Sequence, residues 1–522
     1  MNVRLGLAGL LVFSSLSFAQ QGGDPVEKLT DMVPKPFYDV QKVSDGYENK
    51  MTLIETGVAG LKDRLDIIRK AEEHIEVEYF IYNHDQSSKL ITLELVKAAE
   101  RGVKVRVLVD ASVAVLELDE FLVEQMEKSG IDVRYYNTAS ILRVSSIQFR
   151  NHRKLISVDD KYAITGGRNV EDDYYDMSPE YNFIDRDVLI EGPIVKTMRE
   201  SFDEFFTLKI ATDVKYAKKP RATRRKMDSR TRRWITVPNT KAIAEYNRRV
   251  QEAMNFVTEF QEDIIIREEV DRIGAAVQAT RKTHVCPETT FSSDMPGGNF
   301  FSRLRENYSD NFRGLRKALF DKMSVVNKEV IISSPYMINN KHSRAMMNLF
   351  LDHGVRIRLY TNSLASTDAV YVAANLYDRV FDWLNMGIEV NLHSGSYVEL
   401  SEVPVEKAAT EARWGTHSKT MVYISEEDGE LVKEIMIGTY NIDNRSNYYN
   451  NEMAVFCKGN NELADELIAN IENRMDQGYK LNADRTATDK DGNKVSIYGI
   501  DTSNLTKMKW LSIPSRLLKF LL

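Results

Sequence analysis

Cysteine is nearly missing from this chain. Among 522 residues only Cys286 and Cys457 are present, and their spacing forms no C-x-x-C or other metal-ligand pattern. Two independent buried thiols is the preferred reading, with pairing left open for an oxidising compartment. Long hydrophobic runs are also missing: past the first twenty residues nothing is apolar for long enough to cross a bilayer as a helix. An excess of positive charge is missing too, since the net charge is −7, which argues against a nucleic-acid binder at the level of the whole chain. Histidine is sparse, at eight residues. What remains is ordinary for a globular protein, with 43% hydrophobic and 28% charged residues. The length exceeds what one core organises, so two or more lobes are expected.

The first residues read as a secretory signal. Arg4 supplies the positive start, Leu5 to Leu16 is apolar but too short to span a bilayer, and Ser17-Phe18-Ala19 ends the segment with small residues suited to cleavage. A buried or anchoring N-terminal helix is the alternative. Export to the periplasm or out of the cell is therefore expected, with membrane association as a further outcome. The other end, Lys507 to Leu522, mixes apolar residues with cations. It suits either a docking segment or an amphipathic interfacial anchor.

The chain repeats itself. His74 to Tyr82 predicts a strand, Ser88 to Glu100 a helix, and Gly102 a helix cap before a strand through Leu108. The same order returns in Glu329 to Met337, Ser343 to Asp352, and Gly354 followed by a strand through Tyr360. A further helix and strand follow in each half, Leu116 to Gly130 then Ile131 to Tyr136, and Ala369 to Gly387 then Ile388 to Leu392. This alternation predicts two α/β lobes with mainly parallel or mixed sheets, related by a pseudo-twofold. Between them, residues 210–311 read as an insertion. It opens with a basic run from Lys215 to Arg233, ten Lys or Arg against Asp228 alone, and continues as a helical stretch from Thr240 to Thr280. A solvated surface loop is the plain reading of the basic run.

Each half then carries a histidine-lysine segment, His152-Arg153-Lys154 and His417-Ser418-Lys419. On an extended strand, positions two apart share a face, so each His-x-Lys pair points one way. Each is followed by a Gly-x-x-Asn turn, Gly166 to Asn169 and Gly438 to Asn441. One such pair is commonplace on a surface strand; the duplicated constellation is not. Two imidazoles, two ammoniums and two amides at one interface make a phosphate-sized site. The lysines stabilise charge on non-bridging oxygens, one neutral imidazole attacks phosphorus, and the other moves the proton of the leaving and entering oxygens. A neutral and a protonated histidine imply a bell-shaped pH profile near the ordinary histidine range. No cofactor is called for, and the nearby acids are too sparse for a two-metal cluster. Asp185 and Glu452 each lie seven residues before a glycine, Gly192 and Gly459, and are the candidate acids that orient the imidazoles, with Asp187 a close competitor.

These residues resemble the phospholipase D superfamily, whose signature is His-x-Lys-(x)4-Asp in two copies. The first copy is complete in His152, Lys154 and Asp159, so Asp159 stands with the candidate catalytic residues, although the family's Asp is regarded as structural. The second departs from it, with Ile424 at the Asp position and an enlarged hairpin at Ser425 to Gly429. Within the superfamily the chain is most similar to bacterial cardiolipin synthase-like proteins, through Thr165 to Val170, Asp185-x-Asp187, Thr361 to Asp368 and Gly438 to Ser446. The resemblance runs from about Thr52 to the end. It implies an αβαβα lobe repeated twice with the active site at their interface, a ping-pong mechanism, and His152 as nucleophile. It also implies a phospholipid substrate, with peripheral membrane contact. Domain boundaries are expected at 1–19 (signal), 20–50 (extension), 51–209 (first lobe), 210–311 (insertion), 312–480 (second lobe) and 481–522 (tail). A nuclease of the same superfamily and a non-catalytic lipid-binding envelope protein are the rival readings.

Overall fold

The computed structural model describes residues 38–43, 48–112, 116–138, 149–295, 313–338, 341–369, 376, 380–398, 407–484 and 486–496. The signal segment and the tail from Lys507 lie outside them. The strands in chain order are β1 (Tyr38–Lys42), β2 (Asn49–Ile54), β3 (His74–Tyr79), β4 (Lys104–Asp110), β5 (Ile131–Tyr136), β6 (Leu155–Val158), β7 (Tyr162–Gly166), β8 (Tyr181–Ile184), β9 (Asp187–Glu191) and β10 (Ala211–Asp213). They continue with β11 (Thr223–Met227), β12 (Trp234–Pro238), β13 (Thr283–Cys286), β14 (Glu288–Ser293), β15 (Glu329–Ser333), β16 (Arg356–Asn362), β17 (Glu389–His393), β18 (Arg413–Thr416), β19 (Thr420–Glu427), β20 (Glu430–Gly438), β21 (Met453–Lys458) and β22 (Tyr479–Leu481).

Two mixed sheets follow one plan. The first runs β10-β5-β4-β3-β6-β7-β9-β2-β13, and the second contains β22-β17-β16-β15-β19-β20-β21-β14-β1 in the matching order. The parallel trio β3-β4-β5 corresponds to β15-β16-β17, and the antiparallel strands β6, β7 and β9 to β19, β20 and β21. The repeat in the sequence is thus a repeat in the fold.

Period-two alternation explains the layering. In β3 the residues Ile75, Val77 and Tyr79 join a core with Leu61 and Leu65 of the helix Gly57–Arg69 and Leu90 of the helix Gln86–Glu100. The intervening Glu76 and Glu78 are fully buried on the other face. There Arg106 pairs Glu76 at 2.7 Å and Arg153 pairs Glu78 at 3.1 Å. The helix Ile194–Thr207 covers this face, with Phe205 under the Arg153 guanidinium. In the second lobe Val330 and Ile332 pack with Leu315, Leu319 and Phe350. Glu329 meets Arg358, which reaches on to Glu472 of the helix Asn461–Asp476.

The entry strands are exchanged. β1 pairs antiparallel with β14 in the second sheet, while β13 pairs antiparallel with β2 in the first. Each lobe therefore takes its edge strand from the segment that leads into the other. This corrects two expected boundaries. β1 lies in the stretch assigned to an extension, and β13 and β14 lie in the stretch assigned to the insertion; after β1 the second sheet resumes at Glu288, not near residue 312. Such strands of four to six residues have no helix of their own to announce them. The cysteines are also corrected: Cys286 and Cys457 are bonded to each other, with Cα atoms 5.6 Å apart. Cys286 ends β13 of the first sheet and Cys457 lies in β21 of the second, so the bond staples the crossover.

The insertion itself is a β11–β12 hairpin followed by two helices, Thr240–Phe256 and Gln261–Gln278. The basic run that reads as a loop therefore contains one strand of an exposed hairpin. Among the described residues no helix is long and apolar enough to cross a membrane.

Candidate active site

The two His-x-Lys segments sit in extended chain at the entrances to β6 and β19, one step outside the strand ladders expected for them. Each is held by the opposite lobe. His152 N donates to Asn451 O at 3.0 Å, and Asn151 and Asn451 form a parallel bridge. Symmetrically, β18 runs parallel to β8, and His417 N donates to Ile184 O at 2.8 Å. The residue that follows each of these carbonyls is an acid, Glu452 or Asp185. The backbone bridge therefore delivers a carboxylate from one lobe to the imidazole of the other.

The pairing is crossed. His152 Nδ1 lies 2.9 Å from Glu452 Oε2, and His417 Nδ1 lies 2.7 Å from Asp185 Oδ2. Each Nδ1 is thereby engaged by an acid, which leaves each Nε2 facing away from it, that of His417 at 2.9 Å from Lys419 Nζ. Asp187, the competitor to Asp185, is committed elsewhere: it takes Arg64 at 2.8 Å and Arg168 at 3.3 Å. Both rings are buried and packed by aromatics, His152 against Phe80 and His417 against Tyr174 and Phe183.

Lys154 and Lys419 are each 1% exposed. Lys154 Nζ donates to His152 O at 2.9 Å; Lys419 Nζ donates to His417 O at 2.6 Å and sits over the His417 ring. Among the described residues neither ammonium has a carboxylate within ion-pair distance. Burial, followed by repulsion from Lys419, pulls Lys154 down to about 7. Burial likewise pulls Lys419 to about 8, although Asp185 and Glu452 act against it. Two cations with no carboxylate in contact in a buried pocket are expensive unless an anion joins them.

The imidazoles feel the same field. Burial and then both lysines hold His152 well below the ordinary histidine range, and burial with Lys419 holds His417 at about 4. Both shifts lie below the histidine range, so these imidazoles by themselves do not place the expected bell there. The acids differ from each other. Burial would raise Asp185, but His417, Lys419 and Arg168 outweigh it and hold the carboxylate below its usual range. Glu452 goes the other way: burial lifts it to about 7 despite Lys154 and hydrogen bonds from Thr439 and Ser446.

Asp159, grouped with the catalytic candidates on its motif position, lies elsewhere. It sits in the turn after β6, and its carboxylate accepts the backbone N–H groups of Glu72, Glu73 and His74 at 2.8–2.9 Å. Its work is to cap the start of β3. In the second lobe β19 continues past that point to a two-residue Asp428-Gly429 turn, both residues at positive φ, so the Asp slot becomes an ordinary strand position, Ile424. Ile424 O then accepts from Lys328 N at 3.2 Å.

The two asparagines are buried. Asn169 Nδ2 donates to Tyr174 Oη at 2.9 Å and its Oδ1 accepts from Ile81 N, so it is largely spent on the protein. The Asn441 Oδ1 is buried without a partner among the described residues. Sequence reasoning passed over Thr439 and Ser446, whose hydroxyls donate to the two Glu452 oxygens. Both stand inside the quoted Gly438 to Ser446 motif; nothing in the sequence singles them out before Glu452 is placed. Gly167 occupies the position matching Thr439, and a Cβ there would collide with the Asp185 carboxylate. Among the described residues no group of three or more His, Cys, Asp or Glu is arranged to hold a metal ion.

Comparisons with known proteins bear on the family and the fold. The chain is 25% identical over 445 residues to cardiolipin synthase C of Escherichia coli K12, covering 83% of this chain and 86% of that one. It is 34% identical over 137 residues to a cardiolipin synthase of Geobacillus kaustophilus, covering 26% of this chain and 27% of that one. The fold is that of phosphatidylserine synthase from Haemophilus influenzae, with a TM-score of 0.59 at 11% identity over 96% of this chain and all of that one. The family model described as "Cardiolipin synthase, PLD-like domain" matches residues 65–206 and 319–475, one match per lobe, and the chain belongs to that family.

Proposed function

We propose that this protein is a phospholipase D-type phosphatidyltransferase acting on a phospholipid phosphodiester. The observation that carries the reading is the pair of buried lysines, Lys154 and Lys419, without carboxylates in contact and flanked by two imidazoles whose Nδ1 atoms are held by acids and whose Nε2 atoms face no acid, that of His417 lying 2.9 Å from Lys419 Nζ. A phosphodiester anion supplies the missing charge. Its non-bridging oxygens lie between the ammoniums, and Asn441, whose amide serves either way round, adds donors.

His152 Nε2 attacks phosphorus, forming an N–P bond as the P–O bond to the leaving alcohol breaks. His417 Nε2 gives that oxygen its proton; the bound anion favours the imidazolium, and the ionised Asp185 stabilises it. The neutral His417 then takes a proton from the entering hydroxyl, whose oxygen displaces His152 from phosphorus. With a second phosphatidylglycerol as acceptor the products are cardiolipin and glycerol; with water the lipid product is phosphatidic acid. The contrast between a charged Asp185 and a Glu452 near neutrality supports His152 as nucleophile, because the histidine facing the firmer charge is the better place for a proton.

Export fits the disulfide, since such bonds persist in oxidising compartments, and the N-terminal segment reads as its signal. The deciding experiment is mass spectrometry of products from phosphatidylglycerol vesicles, with and without added alcohol, beside a single-stranded DNA substrate. Cardiolipin or phosphatidic acid supports the reading. DNA cleavage without lipid product refutes it in favour of a nuclease, and no product of either kind favours a non-catalytic lipid binder.

A further inference from the structure

We propose that the β11–β12 hairpin is the surface by which this protein docks on an anionic phospholipid bilayer. This rests on the reading of the substrate as a bilayer lipid. The hairpin forms a two-stranded sheet of its own, joined to neither large sheet. Nine of its ten strand residues are exposed. Its apolar residues are large and open to solvent: Trp234 is 58% exposed, Met227 47% and Ile235 41%. Met227 and Trp234 face each other across the last register pair before the turn, with Arg225 two residues back on the same side. The Arg225 guanidinium lies over the Trp234 ring at 5.6 Å. On the other side Lys226 pairs with Ile235.

The turn between them, Asp228 to Arg233, adds Arg230, Arg232 and Arg233. Asp228, the lone acid from Lys215 to Arg233, is spent inside the turn, where it accepts from Arg230 N at 3.0 Å and Thr231 N at 2.7 Å. Among the described residues none of the ten cations of this segment makes an ion pair. The whole chain carries −7, so this is a local inversion of sign. A tryptophan and a methionine at the tip, ringed by unpaired arginines, match the chemistry of a lipid headgroup layer: phosphates for the guanidiniums, and an interfacial depth for the indole. A nucleic acid offers phosphates but no apolar depth for Met227 and Ile235, so the bilayer is the occupant favoured.

The test uses the full chain and sucrose-loaded vesicles of phosphatidylcholine with about a third phosphatidylglycerol. The native protein should cosediment, lose binding as salt rises, and ignore pure phosphatidylcholine. Changing Arg225, Arg230 and Arg233 to Gln should weaken partitioning by about fivefold per cation, roughly a hundredfold together. Tryptophan emission should shift blue on adding vesicles, and the W234F variant should abolish most of that shift. Turnover of a soluble p-nitrophenyl phosphodiester should be unchanged in the variants. Undiminished vesicle binding by the triple variant, an unmoved tryptophan emission in the native protein, or tighter binding to single-stranded DNA than to the vesicles would each overturn the proposal. Hairpin-dependent vesicle binding with no phosphatidyl product would leave the docking surface standing and remove the enzymatic reading instead.

Discussion

Replacing Glu452 by Gln and Asp185 by Asn should have unequal consequences, although the two acids hold equivalent places. Asp185 is charged at every pH of interest, so Asp185→Asn removes a full buried charge from the imidazole that must carry a proton. The loss of kcat/KM should be about 10³-fold, within the usual span for a disabled acid–base group, and the same across pH. Burial lifts Glu452 to about 7, so ionising it inside the protein costs about 3 kcal/mol more than in water. When Glu452 is protonated its O–H donates to His152 Nδ1, and the ring proton moves to Nε2, where it blocks attack. At pH 6 only about a tenth of the free enzyme then carries an ionised Glu452, against about nine-tenths at pH 8. A Gln side chain accepts from Nδ1–H at any pH but lacks the charge. We expect Glu452→Gln to be about tenfold slower than the native enzyme at pH 8 and nearly equal to it at pH 6, because the acid limb disappears. The assay is kcat/KM for a p-nitrophenyl phosphodiester from pH 5.5 to 9. Equal losses for both variants, or an acid limb that persists in Glu452→Gln, would refute the reasoning.

The histidines should separate by leaving group: a p-nitrophenolate leaving group needs little protonation, so it should restore at least tenfold of the activity lost in His417→Ala and none of that lost in His152→Ala. A burst of p-nitrophenol measures this, and rescue of His152→Ala instead would reverse the roles. Gly167→Ala should cut kcat by about 10²-fold or more with the fold intact by circular dichroism, because the new methyl displaces the Asp185 carboxylate from His417. Near-native turnover would mean that the carboxylate has room to move. Removing the disulfide by Cys457→Ser frees a loop of 171 residues, worth about 5 kcal/mol by chain entropy, so Tm should fall and reductant should have no further effect on the variant. Binding of inorganic phosphate should take up protons near pH 7.5, since an anion raises Lys154 and Lys419 from about 7 and about 8; affinity should therefore be highest below pH 7 and fall above it. Calorimetry in buffers of different ionisation enthalpy measures the uptake, and none would place the anion elsewhere.

The lobes were legible because each is built from strand and helix periods long enough to read, and because the His-x-Lys and Gly-x-x-Asn segments occur twice. The acids were legible through their matched distance from Gly192 and Gly459. Which acid serves which histidine was not, because the bridges Asn151–Asn451 and β8–β18 join residues 300 and 232 apart and exist only once the lobes meet. The exchange of β1 and β13 escaped for a similar reason. Each is a four- or five-residue strand whose partner belongs to the other half, and local pattern carries no record of the partner. Asp159 misled because its motif position marks a turn, and the turn moves with the length of the hairpin.

In the proposed mechanism the crossed acids let a near-symmetric frame support an asymmetric reaction. Two equivalent half-sites would offer two imidazoles of equal proton affinity, whereas attack needs one bare and departure needs one protonated. The backbone treats both halves alike, with a parallel bridge, a carbonyl and then a carboxylate. The difference lies in what surrounds each carboxylate. Asp185 has Lys419, His417 and Arg168 about it, and bare Gly167 where a side chain would crowd it. Glu452 shares its surroundings with Asp294 and Asp443, whose own carboxyls are pushed up to about 7 and about 6 by burial with Glu452 contributing, and it leans on the neutral hydroxyls of Thr439 and Ser446. In the proposed mechanism the cations around Asp185, against the burial and neighbouring carboxyls that outweigh Lys154 at Glu452, favour the proton on the His417 side. Because each acid comes from the lobe opposite its histidine, neither lobe holds a working half-site by itself, and the chemistry depends on the interface that the exchanged strands and the disulfide hold closed.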